Sequence, residues 1–525
     1  MLQGEPATAL THAQQSLDRN MGNSKAWALK AAACNALQQY ERALQVCKEG
    51  LQRDAFNLSL YAEQYKANEA LGNSAAAKQA FEQLQHHARG YVHNYIEYAL
   101  DYMACGLYDD AIQLLQWYVD NAGEPVSPMV WYYLGGFHHV KNDPEKAHGY
   151  YAQAAGADSN GCFPNRLEDI GLLQLALTIM SKDAKAPYYL ANLWYDKRQY
   201  EEAITKWELS AQRDSTFPTV FRNLGIAYFN KRQDATKALA MYEKAFALDK
   251  TDARVLMELD QLYKRLNKDV TERLQFLEKH AKVVEQRDDL YLERASLYNF
   301  IGQYEKAYQQ IMDRKFHPWE GGEGKVSAQY LFSLTEIAKQ CIHAKDYEKA
   351  IWLLQQAQEY PHNLGEGKLF GAQENDLFYW LGIAYERMGN SATAKEYFTK
   401  ATNGLSQPTA ALFYNDQQPD KIFYQGMAWK QLGNKEKASA IFNDLIEYGR
   451  EHRSDEIRID YFAVSLPNLL IFDDNLNTRN QVHCDYLSAL GLLGLGDGVG
   501  AKACFERVLA NDNMHFGAKI HLAMM

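Results

Sequence analysis

A short glycine-rich segment holds the densest group of side chains that could bind or react with a ligand. Residues 316–324 read Phe-His-Pro-Trp-Glu-Gly-Gly-Glu-Gly, a composition that predicts a loop. The glycines permit a left-handed backbone and close approach of a partner. The candidate contact residues are His317, Trp319, Glu320 and Glu323. We expect this loop either to form a lip that contacts a ligand or another domain, or to be a structured turn in which Trp319 plugs the helical array.

Two carboxylates beside aromatic rings also occur in glycoside hydrolases, where the distance between the carboxylates sets the mechanism. The sequence gives no such distance. Motifs for phosphate binding, zinc peptidase, serine hydrolase and calcium-loop chemistry are missing. The pairs His86-His87 and His138-His139 would point about 100° apart on a helix, which is poor geometry for a metal. We therefore predict no catalytic residue, no metal and no cofactor.

The elements that position this loop repeat along the chain. Leu190 and Leu224 lie 34 positions apart, and so do Trp194 and Tyr228. A 34-residue period of large, small and aromatic residues resembles the tetratricopeptide repeat family. The resemblance implies an all-α solenoid, a right-handed superhelix of about a dozen helical hairpins. Its concave face would be lined by the first helix of each hairpin, here called helix A, with helix B following.

The departures from the period divide the chain. An N-terminal array starts in mid-repeat, with the second helix of a hairpin at Glu5 to Leu17, which suggests a piece of a larger protein or a degenerate cap. A central array begins with a loop at 156–164 and a helix from Leu167 to Met180, and later holds an apolar helix from Leu274 to Val284. The predicted segments are 1–158, 159–313, the glycine-rich loop 314–326, and 327–525 with inserts near 361–371 and 449–480.

Polar residues recur where helix A should face away from the packing of its own hairpin. Asparagine has low helix propensity, so its recurrence at these positions needs a reason. Either the side chains bridge neighbouring A helices by hydrogen bonds, or they line a groove for a ligand. The candidates are Tyr188, Asn192, Tyr195, Asp196, Arg222, Asn223, Asn230, Glu258, Lys264, Glu293 and Asn299.

Bulk composition excludes some functions. The formal charge is −11 with no basic segment, which argues against nucleic acid as a partner. Seven scattered cysteines without a Cys-x-x-Cys pair predict reduced thiols packed as small apolar residues. No signal peptide or membrane-length apolar run is visible, so we expect no membrane contact and a cytoplasmic location.

A narrower resemblance covers about residues 160–330. Several motifs are similar to the C-terminal repeat array of large bacterial proteins of unassigned function, in which a β-rich domain of the galactose-mutarotase type precedes the repeats. The matching runs are 162–168, 186–193, 221–227, 258–260, 287–290 and 316–324. The resemblance implies a larger protein linked to carbohydrate utilisation, and it assigns no catalytic residue here.

Two functions follow as hypotheses. The first is a non-catalytic scaffold whose groove binds a protein, a peptide or the protein's own N-terminal domain. The second is that the array forms one wall of a carbohydrate-binding or glycoside-processing site. In that case Tyr188, Tyr195 or Trp319 would stack on sugar rings, and hydroxyl groups would bond to Asn192, Arg222, Asn223 and Glu323.

Overall fold

The computed structural model describes residues 1, 4–123, 125–319, 321–411, 416–458 and 470–525. Within these ranges the chain forms α-helices and one 3-10 turn, and no strand occurs. This confirms the predicted all-α repeat solenoid. The first fourteen helices are α1 (Pro6–Arg19), α2 (Ser24–Ala36), α3 (Tyr40–Leu51), α4 (Leu58–Ala70), α5 (Ser74–Ala88), α6 (Val92–Ala104), α7 (Tyr108–Asn121), α8 (Pro128–Val140), α9 (Pro144–Gly156), α10 (Leu167–Ile179), α11 (Lys185–Asp196), α12 (Tyr200–Arg213), α13 (Pro218–Asn230) and α14 (Ala235–Leu248). The others are α15 (Ala253–Arg265), α16 (Val270–Lys279), α17 (Ala281–Val284), α18 (Asp288–Phe300), α19 (Tyr304–Asp313), α20 (Lys325–His343), α21 (Tyr347–Gln356), α22 (Asn375–Arg387), α23 (Ser391–Ala401), α24 (Pro419–Gln431), α25 (Lys435–His452), α26 (Leu476–Leu495), α27 (Gly498–Asn511) and α28 (Phe516–Leu522).

Small residues on helix A explain why the hairpins close. A Cβ atom on Gly225 of α13 would lie 2.5 Å from the Tyr242 ring of α14, and one on Gly382 of α22 would lie 2.5 Å from Phe398 of α23. Only glycine therefore lets the aromatic ring of helix B pack directly on the backbone of helix A. The regular spacing of glycine and aromatic residues in the sequence reflects this contact, which recurs in several hairpins.

Many of the helices have a side-chain cap at their N-terminus. At these N-caps an aspartate or asparagine oxygen accepts a backbone N–H of the first turn, which satisfies a donor that the helix itself leaves unpaired. The residues that cap in this way include Asn23, Asn57, Asp143, Asp234, Asp252, Asp269, Asp346, Asn390, Asn434, Asn475 and Asp497.

Two compact units make up the chain, Met1–Val220 and Phe221–Met525, here called unit 1 and unit 2. In unit 1, α1 packs on α2 as the helix before a complete hairpin, and α10 is a single helix that packs on α8 and α11, between the hairpins α8–α9 and α11–α12. In unit 2, segments near the end of the sequence pack on helices near its beginning. The ring of Phe472 lies 5.0 Å from that of Phe229, and Phe516 lies 5.3 Å from Phe300. The four-segment division of the sequence stays a prediction.

One predicted helix is wrong in its extent. The apolar helix expected from Leu274 to Val284 begins earlier, at Val270, because Asp269 caps it, and it breaks at His280 into α16 and α17. The insert predicted near 449–480 stays a prediction; of the flanking helices, α25 continues to His452 and α26 begins at Leu476. Residues 459–469 of this insert lie outside the described residues.

The cysteines pack as the sequence predicts. All seven thiols are unpaired, and six of them are buried. Among the described helices none is long and apolar enough to cross a membrane.

Candidate functional site

The two glycine-rich inserts of the sequence lie against each other. We call residues 314–324 the first glycine loop and residues 361–371 the second. The side-chain amide of Asn363 donates to the carbonyls of Ile311 at 2.9 Å and Arg314 at 3.1 Å. The Phe316 N–H donates back to the Asn363 carbonyl at 2.8 Å. Gly365 has φ +75°, and a Cβ there would lie 2.6 Å from the Phe316 oxygen, so glycine is required at this contact.

Glu366 of the second glycine loop caps the helix that follows the first. Its carboxylate accepts the backbone N–H groups of Gly324 and Ser327, both at 2.7 Å. A carboxylate at a helix N-terminus is stabilised by the unpaired N–H groups and the helix dipole. The second glycine loop therefore fixes both ends of the first, which is anchored at Phe316 and at the start of α20.

The contact residues of the first glycine loop differ in exposure. The His317 side chain is 78% exposed, while its backbone N–H donates to Asp288 at 2.8 Å. Burial raises the pKa of Asp288, but this N–H and Arg314 outweigh it, so the pKa is lowered. Trp319 is half-buried against Gly322, Glu323 is exposed, and Glu320 lies outside the described residues.

A buried ion pair joins two neighbouring A helices, α13 and α15. Arg222 Nε and Nη2 donate to the two carboxylate oxygens of Glu258 at 2.7 and 2.6 Å. Glu258 is fully buried and also accepts from the Tyr242 hydroxyl at 3.0 Å and from Arg254 Nε at 2.9 Å. Burial, followed by the charge of Glu258, raises the pKa of Tyr242 well above its ordinary value. This bidentate geometry is the strong form of an arginine–carboxylate contact.

A second network links α15, α16 and α18. Arg273 is fully buried, and its Nη2 donates to Asp260 at 2.7 Å and to Glu293 at 2.7 Å. Lys264 Nζ donates to the same Glu293 at 3.1 Å. Burial disfavours the charged form of Glu293, but Lys264 and Arg273 outweigh it and lower the pKa to about 2. For Asp260 burial is the larger effect, and its pKa is raised.

The next bridge connects α18 to α20. The Asn299 amide donates to the Gln329 carbonyl at 3.1 Å, and its oxygen accepts the Ser333 hydroxyl at 2.8 Å. Asn299 is 1% exposed. At α13–α15, α15–α18 and α18–α20, the polar residues of helix A therefore bridge adjacent A helices, as the first of the two sequence interpretations predicts.

Some candidate groove residues are therefore not accessible. Glu258, Asn299 and Tyr188 are buried, so the expectation that they line an open groove is wrong for these three. The physical reason is that each meets a neighbouring element: Glu258 pairs with Arg222, Asn299 bonds to α20, and the Tyr188 ring packs on Phe217 at 4.8 Å.

The other α11 candidates, in unit 1, contact their own hairpin. Asn192 Oδ1 accepts from Trp207 Nε1 at 3.0 Å, and the Tyr195 ring lies 5.2 Å from Trp207. Asp196 is exposed and pairs with Lys197. These contacts hold α11 against α12 and leave Asn192 and Tyr195 half-buried.

Asn223 and Asn230 of α13 have partners that the sequence did not indicate. Asn223 Oδ1 accepts from Arg222 at 3.2 Å. Asn230 donates to the Ile471 carbonyl at 2.8 Å and accepts the Asp473 N–H at 2.9 Å. Between these two residues, Phe472 is buried against α13 and α14. A pairing over more than two hundred residues leaves no periodic signal in the sequence.

Four charged residues of unit 2 that reach solvent lie near the first glycine loop or within it. The side chain of Lys264 is 42% exposed and that of Glu293 is 23% exposed, and Lys325 and Glu323 are exposed. Although the Lys325 side chain reaches solvent, the protein around it partly removes water from the ammonium, and this desolvation, followed by the positive charge of Lys264, lowers the pKa of Lys325, while Glu293 and Glu323 act on it in the opposite direction. We call Lys264, Glu293, Glu323 and Lys325 the polar face. Sequence analysis missed Lys325, although it directly follows Gly324.

Comparison with known families agrees with this repeated architecture. Residues 3–57 and 97–161 match one tetratricopeptide repeat profile, and residues 376–403 match another. The chain carries tetratricopeptide repeats. The Arg222–Glu258, Lys264–Glu293 and Asn299–Ser333 bridges lie between helices of a part of the chain outside the profile matches.

Several solved structures resemble the chain weakly. YrrB, a TPR protein with an unusual peptide-binding site, is 16% identical over 47% of this chain and 96% of its own, with a TM-score of 0.18. PilF of Pseudomonas aeruginosa is 19% identical over 42% and 88%, with a TM-score of 0.25. A tetratricopeptide repeat protein of Parabacteroides merdae is 16% identical over 56% and 99%, with a TM-score of 0.24. Scores this low place no ligand on this chain.

In the described part of the chain, no group of three or more histidine, cysteine, aspartate or glutamate side chains is arranged to hold a metal. The polar face instead combines both signs of charge with a half-buried indole next to it. Such a surface suits hydrogen bonding and ion pairing with a polar chain.

Proposed function

We propose that the protein is a non-catalytic interaction scaffold that binds an extended segment of a protein partner on the polar face of unit 2. The observation that carries the proposal is the position of Glu293. It is shared by Lys264 and Arg273, and it remains partly exposed next to a loop that Asn363 and Glu366 hold in place. Side chains fixed in this way lose little entropy when a ligand binds.

The chemistry of the face favours a polar peptide. Lys325 has no carboxylate within ion-pair distance among the described residues, whereas Lys264 is paired. Backbone carbonyls and polar side chains of an extended peptide would satisfy the Lys325 ammonium and the Glu323 carboxylate. Trp319 would supply apolar contact area beside them. The partner can be a separate protein or another domain of a larger protein, which includes the β-rich domain suggested by the sequence resemblance.

A peptide-display selection on the intact chain tests the proposal. Binding of a selected peptide is then measured by calorimetry with the native chain, Lys325→Ala, Glu323→Gln and the control Lys282→Ala, an exposed lysine of α17. We expect each of the first two changes to weaken binding about fivefold or more, and the control to leave it unchanged, since contacts at a well-packed centre dominate affinity. Equal affinity in all four proteins would contradict the proposal.

The carbohydrate alternative is tested on the same proteins. A panel of oligosaccharides is titrated by calorimetry, with Trp319→Ala as the diagnostic variant. The sugar site would be favoured over the scaffold by two results together. A defined oligosaccharide would give a heat of binding that disappears in Trp319→Ala, and the affinity for the peptide would be unchanged by Lys325→Ala and Glu323→Gln.

A further inference from the structure

The last helix of unit 2 packs on helices that precede it by some two hundred residues. Met514, just before α28, accepts a hydrogen bond on its sulfur from Arg273 Nη1 at 3.2 Å. Phe516 lies between two aromatic rings of neighbouring A helices, 5.3 Å from Phe300 in α18 and 4.8 Å from Phe332 in α20. The segment thus covers part of the surface of α18 and α20.

Polar contacts hold the same segment at its beginning. Asn513 Nδ2 donates to the carbonyls of Asn267 at 2.9 Å and Lys268 at 3.2 Å, and its backbone N–H donates to Asn267 Oδ1 at 3.2 Å. These bonds connect the turn before α28 to the turn between α15 and α16. They are exposed or half-buried, so each contributes modestly to docking.

His515 caps α28 through an unprotonated nitrogen. Its Nδ1 accepts the Ala518 N–H at 3.0 Å, which requires the neutral tautomer with the proton on Nε2. A second proton would turn this acceptor into a donor and abolish the cap. Burial lowers the pKa of His515, with Asp512 acting to raise it and His483 to lower it. The ring also lies 4.5 Å from that of Tyr486 in α26.

His521, at the other end of α28, is fully enclosed by aromatic rings. The Phe423 centroid lies 5.2 Å away, Tyr424 5.8 Å and Phe505 6.3 Å. Its Nδ1 donates to the Gly517 carbonyl at 2.7 Å, while Nε2 has no hydrogen-bond partner among the described residues. A proton on Nε2 would therefore create a buried, unpaired N–H and a buried charge.

The charged groups that face His521 do not offset that charge. They are Lys339 of α20, Asp376 of α22 and His515, and the Tyr486 hydroxyl of α26 lies at 3.3 Å. Lys339 is already paired with Glu336, and Asp376 with Lys421. Burial accordingly dominates and lowers the pKa of His521 to about 3.

We infer that α28 is an acid-releasable strap. Protonation of His515 and His521 undocks residues 511–522 from the rest of unit 2 and uncovers the aromatic surface of Phe300 and Phe332. The inference does not depend on what the polar face binds. A strap of this kind leaves the surface of Phe300 and Phe332 available only in an acidified medium, or after a partner has taken the place of α28.

The direction of the pH dependence follows from the lowered pKa. A histidine whose docked pKa lies below its free value of about 6.5 binds protons more readily when undocked. Docking is therefore most stable above about pH 6.5 and weakens as the pH falls from there toward 3. For His521 alone the docking equilibrium shifts by up to about tenfold per pH unit in that window, or about 30-fold in total between pH 7.5 and 5.

Hydrogen–deuterium exchange of the intact chain at pH 7.5 and pH 5, corrected for intrinsic exchange rates, tests the inference. The proteins are the native chain, the double variant His515→Asn with His521→Leu, and the control His343→Asn, an exposed histidine of α20. Asparagine can still cap the helix and leucine can still fill the aromatic cage, but neither titrates. In the native chain and the control we expect protection over 511–522 to fall by about 30-fold or more at pH 5. In the double variant we expect a fall of less than about threefold.

Two outcomes would overturn the inference. One is unchanged protection of 511–522 in the native chain between the two pH values. The other is an equal loss in the double variant, or a loss spread evenly over unit 1 and α22–α23, because general acid unfolding would then explain it. If the double variant is unstable at pH 7.5, the single variant His515→Asn gives the same comparison at smaller amplitude.

Discussion

The side-chain amide of Asn363 lies 3.1 Å from the carbonyl of Arg314, so a side chain of the second glycine loop donates a hydrogen bond to the backbone of the first. The same amide reaches the Ile311 carbonyl at 2.9 Å. Two inserts that look unrelated in sequence thus form one structural element, and the candidate contact residues His317, Trp319 and Glu323 are held by it.

The Asn363 contact gives the first prediction. Asn363→Ala removes donors to these carbonyls and should lower the free energy of unfolding by about 1–2 kcal/mol, the cost typical of half-buried hydrogen bonds. Limited proteolysis should cut the first glycine loop faster in this variant. His362→Ala, an exposed neighbour in the same loop, is the control and should behave like the native chain. Unchanged cleavage rates in Asn363→Ala would show that the contact does not hold the loop.

The buried ion pair between Arg222 of α13 and Glu258 of α15 gives the second prediction. Glu258→Ala leaves the largely buried Arg222 guanidinium without its carboxylate and should destabilise unit 2 by about 3–5 kcal/mol. Scanning calorimetry should show the loss as a lower transition temperature. Arg254→Ala removes only the mostly exposed partner of the same glutamate and should cost less than about 1 kcal/mol. A small effect of both changes would mean that the network carries little energy.

Acid sensitivity of the second network is the third prediction. Because the pKa of Glu293 is lowered to about 2, its ion pairs stabilise the folded state above about pH 4.5. That contribution, about 3 kcal/mol in total, is lost as the pH falls from about 4.5 to 2. Glu293→Gln should flatten the pH dependence of the urea midpoint in this range. Glu305→Gln, which changes an exposed glutamate of α19, should leave the native profile unchanged, and an equal flattening by both would contradict the assignment.

Close packing of helix A on helix B gives the fourth. The Cβ added by Gly382→Ala would lie 2.5 Å from Phe398, so overpacking should destabilise the α22–α23 hairpin by about 1–3 kcal/mol. Gly171→Ala in α10 meets no atom within 4 Å and should be neutral or stabilise by up to about 1 kcal/mol, since alanine favours a helix more than glycine does. Thermal unfolding of the two variants should therefore move in opposite directions or differ clearly in size.

The sequence by itself determined the helical hairpins. Residues such as Gly225 and Tyr242 are local partners, and their fixed separation records a contact that recurs in several hairpins. It also showed that 316–324 is a loop, because glycine and proline act on the backbone of their own segment. Boundaries such as the break at His280 were missed, since a cap or a kink depends on one residue and not on a period.

Only the tertiary structure decided which polar residues are available to a partner. Glu258 and Lys264 lie on the same helix, yet Glu258 is buried beneath Arg222 while Lys264 reaches solvent. The difference arises because exposure depends on the neighbouring hairpins. The contacts of Asn363 with Arg314 and of Phe516 with Phe300 depend on how elements far apart in the sequence pack together within unit 2. Long-range contacts of this kind leave no pattern within a single repeat, so they could not be predicted from its sequence.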